Sequence, residues 1–223
     1  MRAAPFLLAV VLAAPCRPSP AAAVTGDEIM ERVRDRFARA RTYEARFEKR
    51  FYWAVLDKHA TRQGRIYTQR PGRFRVQLEG GDLVVADGEA IWAYSKTNEQ
   101  VIVSPYDGGV LRTPWEVLVE YSEGYRTVAV ERTDLDGREV YMLTLQPTED
   151  VPPALRLKRM RLWVEERGWR LLRIEQVEPN DDVSTFILSG HRRDGRLDDD
   201  LFRFTPPEGT EIIDRRPAAP TLK

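Results

Sequence analysis

The chain is expected to be a mainly β protein with helices, of α+β class, built as an antiparallel sheet. Three observations predict this: apolar residues alternate with polar ones along many short stretches, turn signals punctuate those stretches, and only two segments carry helical spacing. At 223 residues, 42% hydrophobic and 31% charged, the chain is long enough for one domain with a substantial core.

Residues 1–23 read as a cleavable signal peptide. Arg2 precedes a short apolar run from Phe6 to Ala14, and small residues end at Ala21-Ala22-Ala23. The run falls short of the roughly 20 residues of a spanning helix. The mature chain, 24–223, is expected to be a single exported domain. Cys16 is the only cysteine and would leave with the signal. In a rival reading Cys16 is the lipidated first residue of a lipoprotein, but Pro15 occupies the position where such signals carry a small residue.

Thr25 and Glu28 have capping-box spacing, and Ile29, Met30, Val33, Phe37 and Ala40 follow at helical intervals, which predicts a helix from Gly26 to Arg41. From Thr42 the period becomes two: Tyr43, Ala45, Phe47, Lys49, Phe51 and Trp53 share one face of a strand, with Glu44, Arg46, Glu48 and Arg50 on the other. Strands are expected at Gln63–Arg70, Phe74–Leu78, Leu83–Asp87, Ala90–Tyr94 and Val101–Ser104. The second half predicts strands at Tyr125–Arg132, Arg138–Gln146, Leu157–Glu166, Trp169–Glu178, Val183–His191 and Leu201–Phe204. Pro-Gly, Gly-Gly, Asp-Gly and Arg-Gly turns between them favour an antiparallel meander. Thr113-Pro114-Trp115-Glu116 starts a second, short helix that ends near Gly124 and depends on docking Trp115, Leu118 and Val119. A curved sheet with one apolar face needs a cover, and these two helices supply it.

Lysine plus arginine and aspartate plus glutamate each total 35, so no net positive field draws the chain to nucleic acid. His59 and His191 are the only histidines and lack metal-ligand spacing, so neither a metal nor another cofactor is expected. No nucleophile elbow surrounds any serine, and Gly80-Gly81 and Gly108-Gly109 lack the lysine and helix of a phosphate loop. Glu165-Glu166, Asp181-Asp182 and Asp198-Asp199-Asp200 read as solvated charge at turns or strand ends. The chain is not expected to be an enzyme.

Several stretches occur in a telling succession. Gln63-Gly64 leads through a strand to Arg70-Pro71-Gly72-Arg73-Phe74-Arg75; then come Asp87-Gly88, Ile91-Trp92-Ala93-Tyr94, Thr113-Pro114, and Leu201-Phe202-Arg203-Phe204-Thr205-Pro206-Pro207-Glu208-Gly209. In this order they resemble the periplasmic outer-membrane lipoprotein carrier (LolA) family of Gram-negative bacteria.

The resemblance implies an incomplete antiparallel β-barrel closed by the N-terminal helix and a short helical lid, with an apolar cavity inside. It implies a monomeric periplasmic carrier of acylated lipoproteins, taking cargo from an inner-membrane lipoprotein-releasing ABC transporter to an outer-membrane receptor. It also implies that Arg70 lies inside and holds the lid through hydrogen bonds. From spacing alone, Arg70 reads as a solvated strand-end residue. Alternation nominates lining residues: Phe47, Ile66, Phe74, Val76 and Leu78, then Val85, Trp92 and Tyr94, with Trp115 and Leu118 on the lid. The second half adds Leu143, Leu145, Leu162, Val164, Leu172 and Ile174. For each, core packing is the alternative to ligand contact. Val76 departs from the family, which often has tryptophan there. Two related readings share the architecture: a receptor anchored through Cys16, and a lipid-sensing envelope-stress regulator. A mature N-terminus at Cys16 carrying acyl mass, against one at Val24 without it, separates the first from the carrier.

Overall fold

Thr25 closes the capping box expected of it. Its side chain accepts from the Glu28 amide at 3.2 Å while its own amide donates to the Glu28 carboxylate at 2.8 Å. Helix α1 runs from Gly26 to Ala38 and stops before Arg41, because the Arg41 amide turns out to donate to Asp194 Oδ1 at 2.8 Å. This computed structural model describes residues 24–106, 124–153 and 156–217. The signal segment with Cys16 lies outside the described residues, as do Trp115, Leu118 and the body of the expected lid helix.

The described strands are β1 (Thr42–Trp53), β2 (Lys58–Gln69), β3 (Arg73–Leu78), β4 (Leu83–Ala86), β5 (Ala90–Ser95), β6 (Gln100–Pro105), β7 (Tyr125–Leu135), β8 (Arg138–Pro147), β9 (Arg159–Glu165), β10 (Leu171–Val177), β11 (Val183–Arg193) and β12 (Glu211–Asp214). They form one open sheet in the order β12-β6-β5-β4-β3-β2-β1-β11-β10-β9-β8-β7. Two meanders, β1–β6 and β7–β11, are therefore joined where β1 pairs antiparallel with β11. The sheet is an incomplete barrel, with β12 and β7 as its outermost described strands. Asp136 and Gly137 both take positive φ, 53° and 77°, the pairing that a tight hairpin between twisted strands requires.

Two elements differ from expectation. Leu201–Phe204 is not a strand: Asp198 caps a 3-10 turn at Asp199–Phe202, accepting from the Asp200 amide at 3.1 Å. The acidic triplet opens this turn and is exposed, as expected of it. Beyond Pro206-Pro207, which have no N–H to donate, β12 adds in parallel to β6. Glu165 also departs from the solvated role expected of it, since it is buried and accepts from Arg170 Nε at 2.6 Å.

Helix α1 covers the β7–β10 side of the sheet. Ile29, Met30 and Val33 form one buried cluster with Leu143, Leu145, Met160, Leu162 and Ile174. A Cβ at Gly26 would meet the Thr127 side chain at 2.4 Å, so glycine allows the helix start to approach β7. Arg32 adds a cation over the Trp169 ring, 4.6 Å from its centre, and that ring stacks on Tyr141 at 5.9 Å.

Candidate functional site

Cross-strand partners point to the same side of a sheet, so register assigns every side chain to a face. The face under α1 begins with Tyr43, Ala45 and Phe47 on β1. Pairing carries it to Thr68, Ile66 and Gly64 on β2, and to Phe74, Val76 and Leu78 on β3. It continues through Ala86 and Val84 to Ile91 and Ala93. This concave side is apolar over six strands, as β6 adds Ile102 opposite Ala93.

Four nominated lining residues lie on the other side. Val85 pairs with Arg75 and Trp92, and Tyr94 pairs with Leu83, which puts Val85, Trp92 and Tyr94 on the convex face. Alternation reveals that a strand has two faces; which one turns inward depends on hairpin register. The convex patch around Trp92 and Tyr94 is covered by Phe204, whose ring lies 6.1 and 5.7 Å from theirs. Leu172 is displaced by a bulge between Leu171 and Arg173. Leu171 takes the inward place, and Leu172 joins Val140 and Trp163 in a separate cluster.

The remaining nominated residues on described strands face inward but fall into two groups. Leu143, Leu145, Leu162, Val164 and Ile174 are sealed under α1 and serve as core. Ile66 and Phe74 are buried, while Phe47, Val76 and Leu78 remain half-buried, as does Val84, which alternation had not nominated. A Cβ at Gly64 would stand 2.7 Å from the Phe47 ring, so the glycine makes room for that ring to lie across β2. The result is an apolar concave surface that is closed over β8–β10 and graded toward exposure over β1–β4. Such a surface can hold a flexible apolar chain through non-directional burial.

The model of the family described as "Outer membrane lipoprotein carrier protein LolA" matches residues 38–205. The chain belongs to the LolA family. The outer-membrane lipoprotein carrier protein of Nitrosospira multiformis is 29% identical over 181 residues, spanning 78% of this chain and 83% of that one. That of Nitrosomonas europaea is 28% identical over 174 residues, spanning 75% and 82%. Among solved structures, an uncharacterised conserved protein from Thermus thermophilus superposes with a TM-score of 0.56 at 17% identity, covering 85% of this chain and 98% of its own. That likeness supports the fold.

In this LolA-family chain the polar groups of the concave side sit near its ends. Arg70 continues the face of Ile66 and Thr68, is exposed, and leads into a cis peptide with Pro71. Its amide donates to the Arg41 carbonyl at 2.9 Å, tying the end of β2 to the chain leaving α1. The lid segment implied as its partner is outside the described residues.

Sequence reasoning missed a pair, buried Tyr43 and half-buried His191, whose Oη and Nδ1 are 2.5 Å apart. Burial, reinforced by the Arg170 charge, pushes the His191 pKa down to about 4, and burial raises that of Tyr43. The imidazole is therefore neutral at pH 7 and shares a hydrogen bond with the phenol. These residues lie 148 positions apart, and only the β1–β11 pairing brings them together. The β1–β2 hairpin ends in an exposed tip, with Val55 84% and Leu56 62% accessible beside Trp53.

Proposed function

We propose that this protein is a periplasmic carrier that holds the acyl chains of lipoproteins against its concave face and moves them from the inner to the outer membrane. The observation that carries this is the half-open apolar surface of Phe47, Val76, Leu78 and Val84 in a LolA-family sheet. Residues 1–23 act as the export signal and 24–223 as one carrier domain. Among the described residues no helix is long and apolar enough to cross a membrane.

Burial of an acyl chain is worth about 0.8 kcal/mol per methylene, so about fifteen methylenes represent about 12 kcal/mol. Free diffusion of such a cargo through water is negligible. The carrier must load from an inner-membrane ABC transporter and unload to an outer-membrane receptor by direct contact, gripping less tightly than the final acceptor. No covalent chemistry is performed on the cargo. The lid-holding role that the family resemblance implies for Arg70 fits this cycle, since hydrogen bonds from a guanidinium can be broken and remade. Arg70→Leu should leave folding intact and change the rate of loading or release. Wild-type transfer by that variant would count against the role.

The decisive experiment adds the purified protein to spheroplasts making labelled lipoproteins. Release of labelled lipoprotein into the soluble fraction, bound to the protein and above an unrelated control, is expected. Absence of release across several lipoproteins would overturn the carrier function.

A further inference from the structure

The concave face stops being apolar where β1 and β2 run toward their hairpin. Lys49 points inward between Phe47 and Phe51, and its register partner on β2 is Arg62, so two cations stand side by side on one face. Like charges directly opposite each other weaken a sheet. Three cations on the convex side are answered by carboxylates, Arg50 by Glu48 at 2.5 Å, Arg192 by Glu44 at 3.8 Å and Arg161 by Glu175 at 3.5 Å. Among the described residues, the side chains of Lys49 and Arg62 have no ion pair and no hydrogen bond.

What Lys49 does have is an aromatic frame. Its ammonium lies 4.2 Å from the centre of the Phe51 ring and 4.5 Å from that of Phe186. Ring faces attract a cation but accept no conventional hydrogen bond, so its N–H donors remain unspent. Half-burial already disfavours the charge: the Lys49 pKa is lowered by desolvation and by Arg62, with Glu178 acting the other way. An anion placed between the two cations would relieve both effects. Its apolar tail would continue directly onto Phe47 and Leu78.

We propose that Lys49 and Arg62, framed by Phe51 and Phe186, bind the oxyanion of an acylated amphiphile. The ligand is a carboxylate or phosphate whose chain lies along the concave face. This rests on the acyl-binding role of that face and adds a charge preference to it. The cargo would then include anionic lipids, or acylated molecules with an acidic group close to the chain.

The test compares cis-parinaric acid with its methyl ester, which keeps the chain and removes the charge, by fluorescence titration at neutral pH. The acid is expected to bind at least about tenfold more tightly, the scale of one charge-assisted contact. Lys49→Gln and Arg62→Gln should bring the acid to the affinity of the ester and leave ester binding unchanged. Competition then identifies the source: displacement at lower concentration by lysophosphatidylglycerol marks a phosphate, and by oleate a carboxylate. Equal affinity of acid and ester for the wild type would overturn the anion site while leaving the acyl-binding face intact. Equal loss of both probes in the variants would do the same. Failure of both probes to bind the wild type would overturn the acyl-binding role together with this site.

Discussion

Gly64→Ala puts the packing of the concave face to a direct test. The new Cβ would lie 2.3 Å from the Gln77 carbonyl oxygen and 2.7 Å from the Phe47 ring, both inside the 3.0 Å that such carbons keep. The carbonyl belongs to the neighbouring strand and cannot rotate away, so β2 and β3 must separate by about 0.7 Å there, and the ring must swing off the face. Overpacking of this kind costs about 1–3 kcal/mol. Replacing a strand glycine returns about 0.5–1 kcal/mol of backbone entropy. The net is a loss of about 1–2 kcal/mol. With a urea slope of about 2 kcal/mol per molar, the unfolding midpoint should fall by about 0.5–1 M. Acyl-probe affinity should fall with it, because Phe47 moves. Adding Phe47→Ala removes the ring contact and leaves the carbonyl contact, so the double variant should recover only part of the coupling. A Gly64→Ala protein with an unchanged or higher midpoint would refute this account of the β1–β3 surface.

The two groups of inward residues should respond differently to truncation. Ile174→Ala, fully buried beneath α1, is expected to cost about 2–5 kcal/mol in urea unfolding. Leu78→Ala, half-buried, should cost less stability and lower acyl-probe affinity severalfold; equal stability losses would erase the distinction. Thr25→Ala removes the hydroxyl that accepts from the Glu28 amide, keeps the backbone bond to the Glu28 carboxylate, and should cost about 1 kcal/mol, read as a lower thermal midpoint. His191 has a folded pKa of about 4 against an ordinary 6.5, so the unfolded chain takes up its proton first. Its contribution to stability is complete above pH 6.5 and is lost as pH falls from 6.5 toward 4. His191→Gln should flatten unfolding free energy against pH in that window, and an unaltered profile would contradict the assignment.

Most strands were legible because their chemistry is local. The β1 alternation from Tyr43 to Trp53 and the capping box at Thr25 are encoded within a few residues, and both formed where the pattern placed them. The turn at Asp136-Gly137 likewise needs only its own two backbones. Even so, period two states only that side chains alternate. Val85, Trp92 and Tyr94 alternate as regularly as Phe74, Val76 and Leu78, and lie on the opposite face because hairpin register set them there. The Leu171–Arg173 bulge reversed Leu172 by the same logic.

By itself, then, the sequence determined most of the described strands and the first helix, the absence of net charge and the succession of motifs that the LolA family shares, since each depends on near neighbours or on composition. The tertiary structure alone decided which apolar residues became sealed core under α1 and which stayed half-open. It also brought Tyr43 to His191 and left Lys49 beside Arg62 with no ion pair among the described residues. Those outcomes depend on pairing between strands far apart in the chain, where the energy of each contact exists only after the sheet has chosen its register.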